Sequence, residues 1–463
     1  MRFSSEVRLG ARALIARRLG LEFAESRDAD LERGFLRACH TSSIAAPEAY
    51  LAWLATIPDE SPEWRRLAGY LTVGETYFFR DRACMEALEQ QVLPDLIAAR
   101  RSAGIRRLRC WSAGCATGEE PYTLAILLDR LLPDRDDWAL TVLATDINAE
   151  ALETARRGCY REWSLRETPE WIRERYFHRR GAEAFEVAPR IRGMVTVAPL
   201  NLAEDGYPAV VTNTSAMDLI LCRNVLMYFT REAQRAVVAR LKLALVTGGW
   251  LVVSPAEASA ELFHPLVPVT FPGAILYRNA PGPVAPPLPQ WQAETVWRDA
   301  PVPWPFVDAP GGLLAAESPL SSPPPEPVEA PPGTATDLRR ARALADQGRL
   351  EEARDLCEAV LARDRLDPEA YLLLAATHQE RGELGAAMAA LRRAIYLAPD
   401  SAPAHFLLGS LLLRQGQRRP GQRSLETVVS LLSRIPRDEA LPGCEGLTAG
   451  RLLETARAHL ELR

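Results

Sequence analysis

Apolar positions recur at helical spacing from Arg8 to Leu19 and again from Asp30 to Cys39, with arginines set between them. Pro47, Pro58 and Pro62 punctuate the segments that follow, so residues 1–75 are predicted to form a small all-α unit. Beyond residue 76 the rhythm changes. Short β-branched or leucine-rich runs at Arg106–Ser112, Thr141–Thr145, Val195–Pro199, Asp218–Cys222 and Trp250–Ser254 alternate with helical stretches, and Ala274–Tyr277 reads as a last edge strand. Strands separated by helices predict a mostly parallel sheet covered on both faces, occupying 76–280.

Between Pro281 and Pro332, 16 prolines fall in a stretch without periodicity. Such a composition cannot bury enough apolar surface to offset its ordering entropy, so 281–335 reads as an extended, disordered linker. Its Trp291, Trp297 and Trp304 either dock on a neighbouring domain or form a short recognition segment. After the linker Gly348, Gly382 and Gly416 are spaced by 34 residues, and the same step relates Ala341, Ala375 and Gly409. That period resembles tetratricopeptide repeats, with 448–462 as a capping helix, so 336–463 is predicted to be an α-solenoid. Its concave groove would hold a protein partner; the alternative is a stabilising or dimerising appendage.

At 463 residues the chain has room for two or three domains. A net charge of −5 weighs against a nucleic-acid partner. The eight cysteines show no paired CxxC spacing and read as buried thiols in a reducing cytoplasm, not as disulfides or a metal site. No apolar run is long enough to insert in a membrane, and no secretory leader is evident, which places the protein in the cytoplasm.

The chemistry concentrates in the middle unit. Leu108 to Tyr122 reads as a buried strand, a turn of small residues around Gly114 and Gly118, and a helix opened by Glu119, Glu120 and Pro121. This order aims backbone N–H groups and a carboxylate at a nucleotide-like ligand. Asp146 ends the next strand, where a carboxylate either accepts from a ribose hydroxyl pair or caps the helix at Ala149–Arg156. It lies about 30 residues beyond the glycine turn, and neither GxGxxG nor a P-loop lysine is present, which disfavours NAD and ATP. Arg223-Asn224 follows a hydrophobic strand and would place a positive fork where a carboxylate could be held, or a structural ion pair at the strand end. Tyr228 lies five residues on. Tyr77-Phe78-Phe79-Arg80 either lines a pocket or plugs an interdomain seam.

Taken together these segments resemble the CheR family of chemoreceptor glutamate O-methyltransferases. The resemblance rests on Gly74-Glu75-Thr76-x-Phe78-Phe79-Arg80, Ser112-Ala113-Gly114-x-x-Thr117-Gly118-Glu119-Glu120-Pro121-Tyr122, Thr145-Asp146-Ile147, Asn201-Leu202 and Cys222-Arg223-Asn224-Val225-x-x-Tyr228-Phe229, in that order. It implies an all-α N-terminal domain, a Rossmann-like α/β methyltransferase domain, S-adenosylmethionine as donor with S-adenosylhomocysteine as product, and the γ-carboxylate of receptor glutamates as acceptor. Carried over by position, Thr76 and Arg80 would touch the cofactor or frame the acceptor, and Glu119 and Glu120 would help hold the methionine portion. Gly114 would belong to the cofactor turn and Asp146 would bind the ribose. Asn201 and Leu202 would flank the adenine, and Arg223 and Asn224 would close the end of the fourth strand. Arg80, Arg223 and Tyr228 are the expected catalytic group.

Two departures stand out. Gly74 replaces a frequent asparagine, and Ser254-Pro255-Ala256-Glu257 replaces a frequent Gly-His-Ser-Glu, which leaves the role of that loop open. The segment 176–197 lies where the family inserts a small β-subdomain. The repeat tail implies a chemosensory system with partner docking through the repeats. The rival readings are a methyltransferase on another acceptor, and a repeat scaffold whose methyltransferase domain senses cofactor without catalysis.

Overall fold

The computed structural model describes residues 3–44, 46–58, 61–72, 74–181, 183–209, 212–280, 334–441 and 447–461. The proline-rich stretch 281–333, with Trp291, Trp297 and Trp304, lies outside the described residues, as does Cys444.

Four helices, Ser5–Leu19, Asp28–Thr41, Pro47–Leu54 and Pro62–Leu71, form the N-terminal unit. Local signals set their starts: the Ser4 hydroxyl accepts from Val7 N, and Pro62 sits in the first turn behind Ser61. Their apolar stripes meet in a core of Ile15, Leu31, Phe35, Tyr50, Leu54 and Leu67. Arg8 and Arg12 both pair with Asp28, joining the first two helices.

The central sheet contains β1 (Arg107–Ala113), β2 (Ala139–Asp146), β6 (Val195–Pro199), β7 (Met217–Leu221), β8 (Leu245–Val252), β9 (Val267–Phe271) and β10 (Ala274–Arg278). A separate small sheet takes β3 (Cys159–Arg161), β4 (Phe177–Arg180) and β5 (Ala184–Val187). The large sheet runs β6-β2-β1-β7-β8-β10-β9, parallel through β8 and antiparallel at its end. Every residue of β1 and β7 is buried, as a strand covered on both faces requires.

Two expectations need correction. Ala274–Tyr277 is not the edge, because β9 pairs outside it; Pro268 makes that segment read as a break, yet proline is tolerated in an edge strand. The fifth parallel strand begins at Leu245 instead of Trp250, since Gly248-Gly249, with Gly248 at φ 84°, imitates a turn but lies within the strand. Chain order reverses between β1 and β7, which opens a crevice at their carboxyl ends.

The C-terminal unit pairs Thr334–Asp346 with Leu350–Arg363, Pro368–Glu380 with Leu384–Leu397, and Ala402–Arg414 with Arg418–Leu432, followed by Ala449–Glu461. Gly348, Gly382 and Gly416 occupy the turns within the pairs at φ of 78°, 77° and 75°, a conformation that explains the spacing of 34. The turns at Gly348 and Gly382 meet the amino ends of the strands. A Cβ on Gly382 would lie 2.9 Å from Ala139 Cβ, and one on Gly348 3.2 Å from Val246 Cγ1. Arg109 of β1, 2% exposed, pairs with buried Glu380 and donates to the carbonyls of Ser215 and Asn213. Arg107 donates to the Glu380 carbonyl, and burial lowers its pKa to about 10.

Candidate active site

A cleft of about 1070 Å³, counting the part open to solvent, lies over the carboxyl ends of β1, β2 and β7. Thr76, Arg80, Gly114, Glu120, Asp146, Asn201, Leu202, Arg223, Asn224 and Tyr228 all line it. Of the residues expected at the site, Glu119 stands apart. It is buried, its carboxylate accepts from Thr117 and Ser164, and burial raises its pKa against those bonds. Glu119 thus braces the turn that follows β3 of the small sheet, while Glu120, one residue on, faces the cleft.

At the end of β1 the chain turns at Gly114, with φ 82° and its N–H on the Thr145 carbonyl. Asp146 ties this turn to β2, accepting from Ala116 N at 2.9 Å and Asn148 N at 2.8 Å. Desolvation raises the Asp146 pKa, with the amides of Asn148 and Ala116 acting in the opposite sense. The helix cap that Asp146 was expected to compete for is supplied by Asn148, whose side chain accepts from Glu150 N and Ala151 N. Asp146, free of that cap, lines the cleft.

Glu120 accepts from Ser112 Oγ at 2.7 Å and from Arg223 Nη1 at 3.2 Å. Arg223 is deeply buried and also reaches Asp81 at 3.2 Å and the Arg80 carbonyl at 2.9 Å. Burial works against its charge, and Cys84, Glu120 and Asp81 outweigh that to raise its pKa. Its guanidinium is therefore engaged by protein acids, clamping the 75–81 segment to the sheet. Arg80 differs: its Nη1 donates to the Glu75 carbonyl at 2.7 Å, and among the described residues it forms no ion pair.

The three aromatics divide. Phe78 is fully buried, edge-on to Tyr160 and Phe177, and the Phe79 N–H donates to Thr123, so both are plugs. Tyr77 lines the cleft. On the opposite side Asn201 accepts from Ala203 N and donates to Glu204, which orients it beside Leu202. Tyr228 ends a short 3-10 turn, Leu226–Tyr228; its carbonyl accepts from Glu22 N, and the Arg27 guanidinium stacks 4.9 Å from its ring. The helical unit thus supplies one wall, with Leu19 and Leu21 in the lining. These two residues sequence reasoning missed, because apolar positions at the end of a helix and just past its glycine cap read as core.

A crevice at a topological switch, a glycine turn pressed against its neighbour and an acid at the end of β2 define a nucleoside-binding α/β fold. A family described as CheR methyltransferase, SAM binding domain, matches residues 74–264, and tetratricopeptide repeat matches 368–401. The probable biofilm formation methyltransferase WspC of Pseudomonas aeruginosa is 30% identical over 424 residues, covering 89% of this chain and 95% of its own. Its namesake in Pseudomonas putida is 28% identical over 415 residues, covering 88% and 95%. Chemotaxis protein methyltransferase 1 of P. aeruginosa is 35% identical over 213 residues, covering 45% of this chain and 74% of its own. The chain belongs to the CheR methyltransferase family, as an S-adenosylmethionine-dependent protein methyltransferase carrying C-terminal tetratricopeptide repeats. The residues fit that cofactor: the cleft combines the glycine turn, the carboxylates of Asp146 and Glu120 and the apolar side chains of Ile147, Leu200 and Leu202. No helix among the described residues is long and apolar enough to cross a membrane.

Proposed function

We propose that this chain methylates glutamate γ-carboxylates in the cytoplasmic domain of a chemoreceptor and so adapts a chemosensory pathway. The units 1–75, 76–280 and 336–463 supply the acceptor-side wall, the catalytic cleft and the partner-docking repeats. The observation that carries the reading is the contrast between two arginines. Arg223 has its charge met by Glu120 and Asp81, whereas Arg80 reaches the same cleft with the Glu75 carbonyl and the Tyr77 ring beside it and, among the described residues, no ion pair, so its charge remains available to an acceptor carboxylate.

S-adenosylmethionine, when bound there, would supply an electrophilic sulfonium methyl to the acceptor carboxylate oxygen, its sulfur keeping the electron pair of the carbon–sulfur bond and leaving as the thioether. An ionised glutamate needs no base for this, so the protein's part is alignment and exclusion of water. Asp146 holds the ribose, Asn201 and Leu202 flank the base, and Glu120 takes the amino-acid end. Arg80 orients the acceptor and Tyr228 shapes the path of transfer. Arg223 holds the position of Glu120 and of the 75–81 segment. The relatives named as chemotaxis methyltransferases support the chemosensory setting. The repeats dock a protein partner, and they leave Tyr396, 75% exposed, and Leu366, 66% exposed, open to one.

The test is transfer of labelled methyl to purified receptor cytoplasmic domains, followed by mild alkali. Release of the label as methanol identifies a carboxyl ester. Label that resists alkali would mean another acceptor group, and the glutamate reading would fall.

A further inference from the structure

Behind the loop that carries Asn224 and Tyr228 lies a carboxylate that the reaction does not touch. Glu257 follows β8 and is 8% exposed. Its Oε2 accepts from Asn224 N at 2.7 Å and its Oε1 from Val225 N at 2.7 Å and Met227 N at 3.3 Å. Oε2 also accepts from Ser254 N at 3.1 Å and from Ser254 Oγ at 2.6 Å. Five neutral donors thus converge on one side chain, and three of them are consecutive or near-consecutive amides of the loop after β7.

That loop needs holding. Asn224 adopts φ 57°, a left-handed conformation that a residue with a Cβ enters only where its surroundings require it. Arg223, Asn224, Val225 and Tyr228 all face the cleft from it. Val225 presses on the glycine turn from the other side, since a Cβ on Gly114 would lie 2.4 Å from Val225 Cγ2. The amides of residues 224, 225 and 227 point away from the cleft into Glu257, so the carboxylate fixes the loop by its backbone and leaves its side chains to the ligand side.

We propose that Glu257 is a positioning residue for methyl transfer: through three loop amides it sets where Asn224, Val225 and Tyr228 stand relative to the glycine turn, and Ser254 keeps its carboxylate in register. The anchor is anionic because a carboxylate presents only acceptors, and backbone N–H groups present only donors. An amide of the same size would turn an N–H₂ towards an N–H.

The proposal rests on the family activity and on Tyr228 belonging to the cleft. It is tested with the full-length protein by deuterium exchange of the loop amides, S-adenosylhomocysteine affinity and turnover in Glu257→Gln, Glu257→Asp and Ser254→Ala. In Glu257→Gln the amides of 224–227 exchange tenfold or more faster while β1 and β7 keep wild-type protection. Turnover falls at least tenfold, and affinity moves less than fivefold, because Asp146 and Glu120 stand on other elements. Glu257→Asp, which restores the acceptors on a shorter stem, recovers part of both losses, and Ser254→Ala gives a smaller loss of the same kind. Wild-type loop exchange and turnover in Glu257→Gln would overturn the proposal. So would faster exchange spread through β7 and β8 with affinity and turnover lost together, since that describes a merely structural residue. If Tyr228→Phe proves fully active while Glu257→Gln behaves as stated, the role given to Tyr228 falls and the loop anchor stands.

Discussion

Gly114 and Val225 meet so closely that a Cβ built on the glycine would lie 2.4 Å from Val225 Cγ2. The two strand ends that frame the cofactor cleft therefore touch through a glycine held at φ 82°. Gly114→Ala adds both a steric conflict and about 1–2 kcal/mol of left-handed strain. We expect S-adenosylmethionine affinity to fall on the order of tenfold or more, read by calorimetry, with the variant still folded by circular dichroism.

Asp146→Asn should cost about 1.5–3 kcal/mol of cofactor binding, the worth of hydrogen bonds to a charged group, or roughly 10–150-fold. The wild-type affinity should also depend on acid. Burial raises the Asp146 pKa above its ordinary 3.8, so as pH falls the carboxylate is lost earlier than usual. Binding isotherms across the acid range should show affinity declining above the common carboxylate range in the wild type and a flatter profile in Asp146→Asn.

Arg223→Ala leaves Glu120 and Asp81 without their shared cation. Breaking a buried pair in this way costs about 3–5 kcal/mol, so melting temperature and methylation should fall together, with activity lost. Arg80→Ala, by contrast, removes no ion pair, and it should lower turnover while leaving the melting temperature near that of the wild type. Similar melting losses for both variants would contradict the division of labour between the two arginines.

Tyr228→Phe should slow turnover about fivefold, the worth of one neutral hydrogen bond of about 1 kcal/mol, at unchanged stability. Steady-state rates with a receptor fragment and a thermal melt decide it.

The end of the repeat unit should weaken in acid. His459 lies edge-on to Phe406, and burial, helped by Arg156, lowers its pKa from 6.5 to about 4. The unfolded chain binds the proton near 6.5 and the folded chain does not, so the stability present above 6.5 is lost as pH drops towards 4. The ring is partly exposed, so the loss should be about 1–2 kcal/mol, less than the roughly 3.5 kcal/mol that about 1.4 kcal/mol per unit would give over the whole shift from 6.5 to about 4. Melts at pH 7 and pH 5 should differ less in His459→Phe.

Much of this molecule was legible in its residues because the signals are local. The glycine turn, the acid after β2 and the 34-residue step each follow from backbone conformation or strand period, and the structure brings Gly114, Asp146, Asn201 and Tyr228 to one cleft. What escaped was non-local. Nothing near Glu119 in sequence says that its carboxylate turns to Ser164, 45 positions away, while Glu120 turns to Arg223, 103 positions away. Leu19 and Leu21 wall the cleft from a helix end and the residue past its glycine cap, which look like ordinary core, and Glu257 finds its partners only through the fold of β7 against β8. Arg109, in a buried strand, was unremarkable until Glu380 appeared 271 positions later (380 − 109).

That last pair changes what it would mean to shorten this protein. β1 leads into the cofactor turn at one end and is gripped by the repeats at the other, so a chain cut within the proline-rich stretch would not be the same enzyme with less attached. It would carry Arg107 and Arg109 at the newly wetted amino end of a central strand, stripped of the Glu380 carbonyl and carboxylate, beside a bare patch once covered at Ala139 and Val246. Heat should accordingly take the intact protein apart in one broad event, and the severed catalytic half should be the stickier and more fragile of the two pieces.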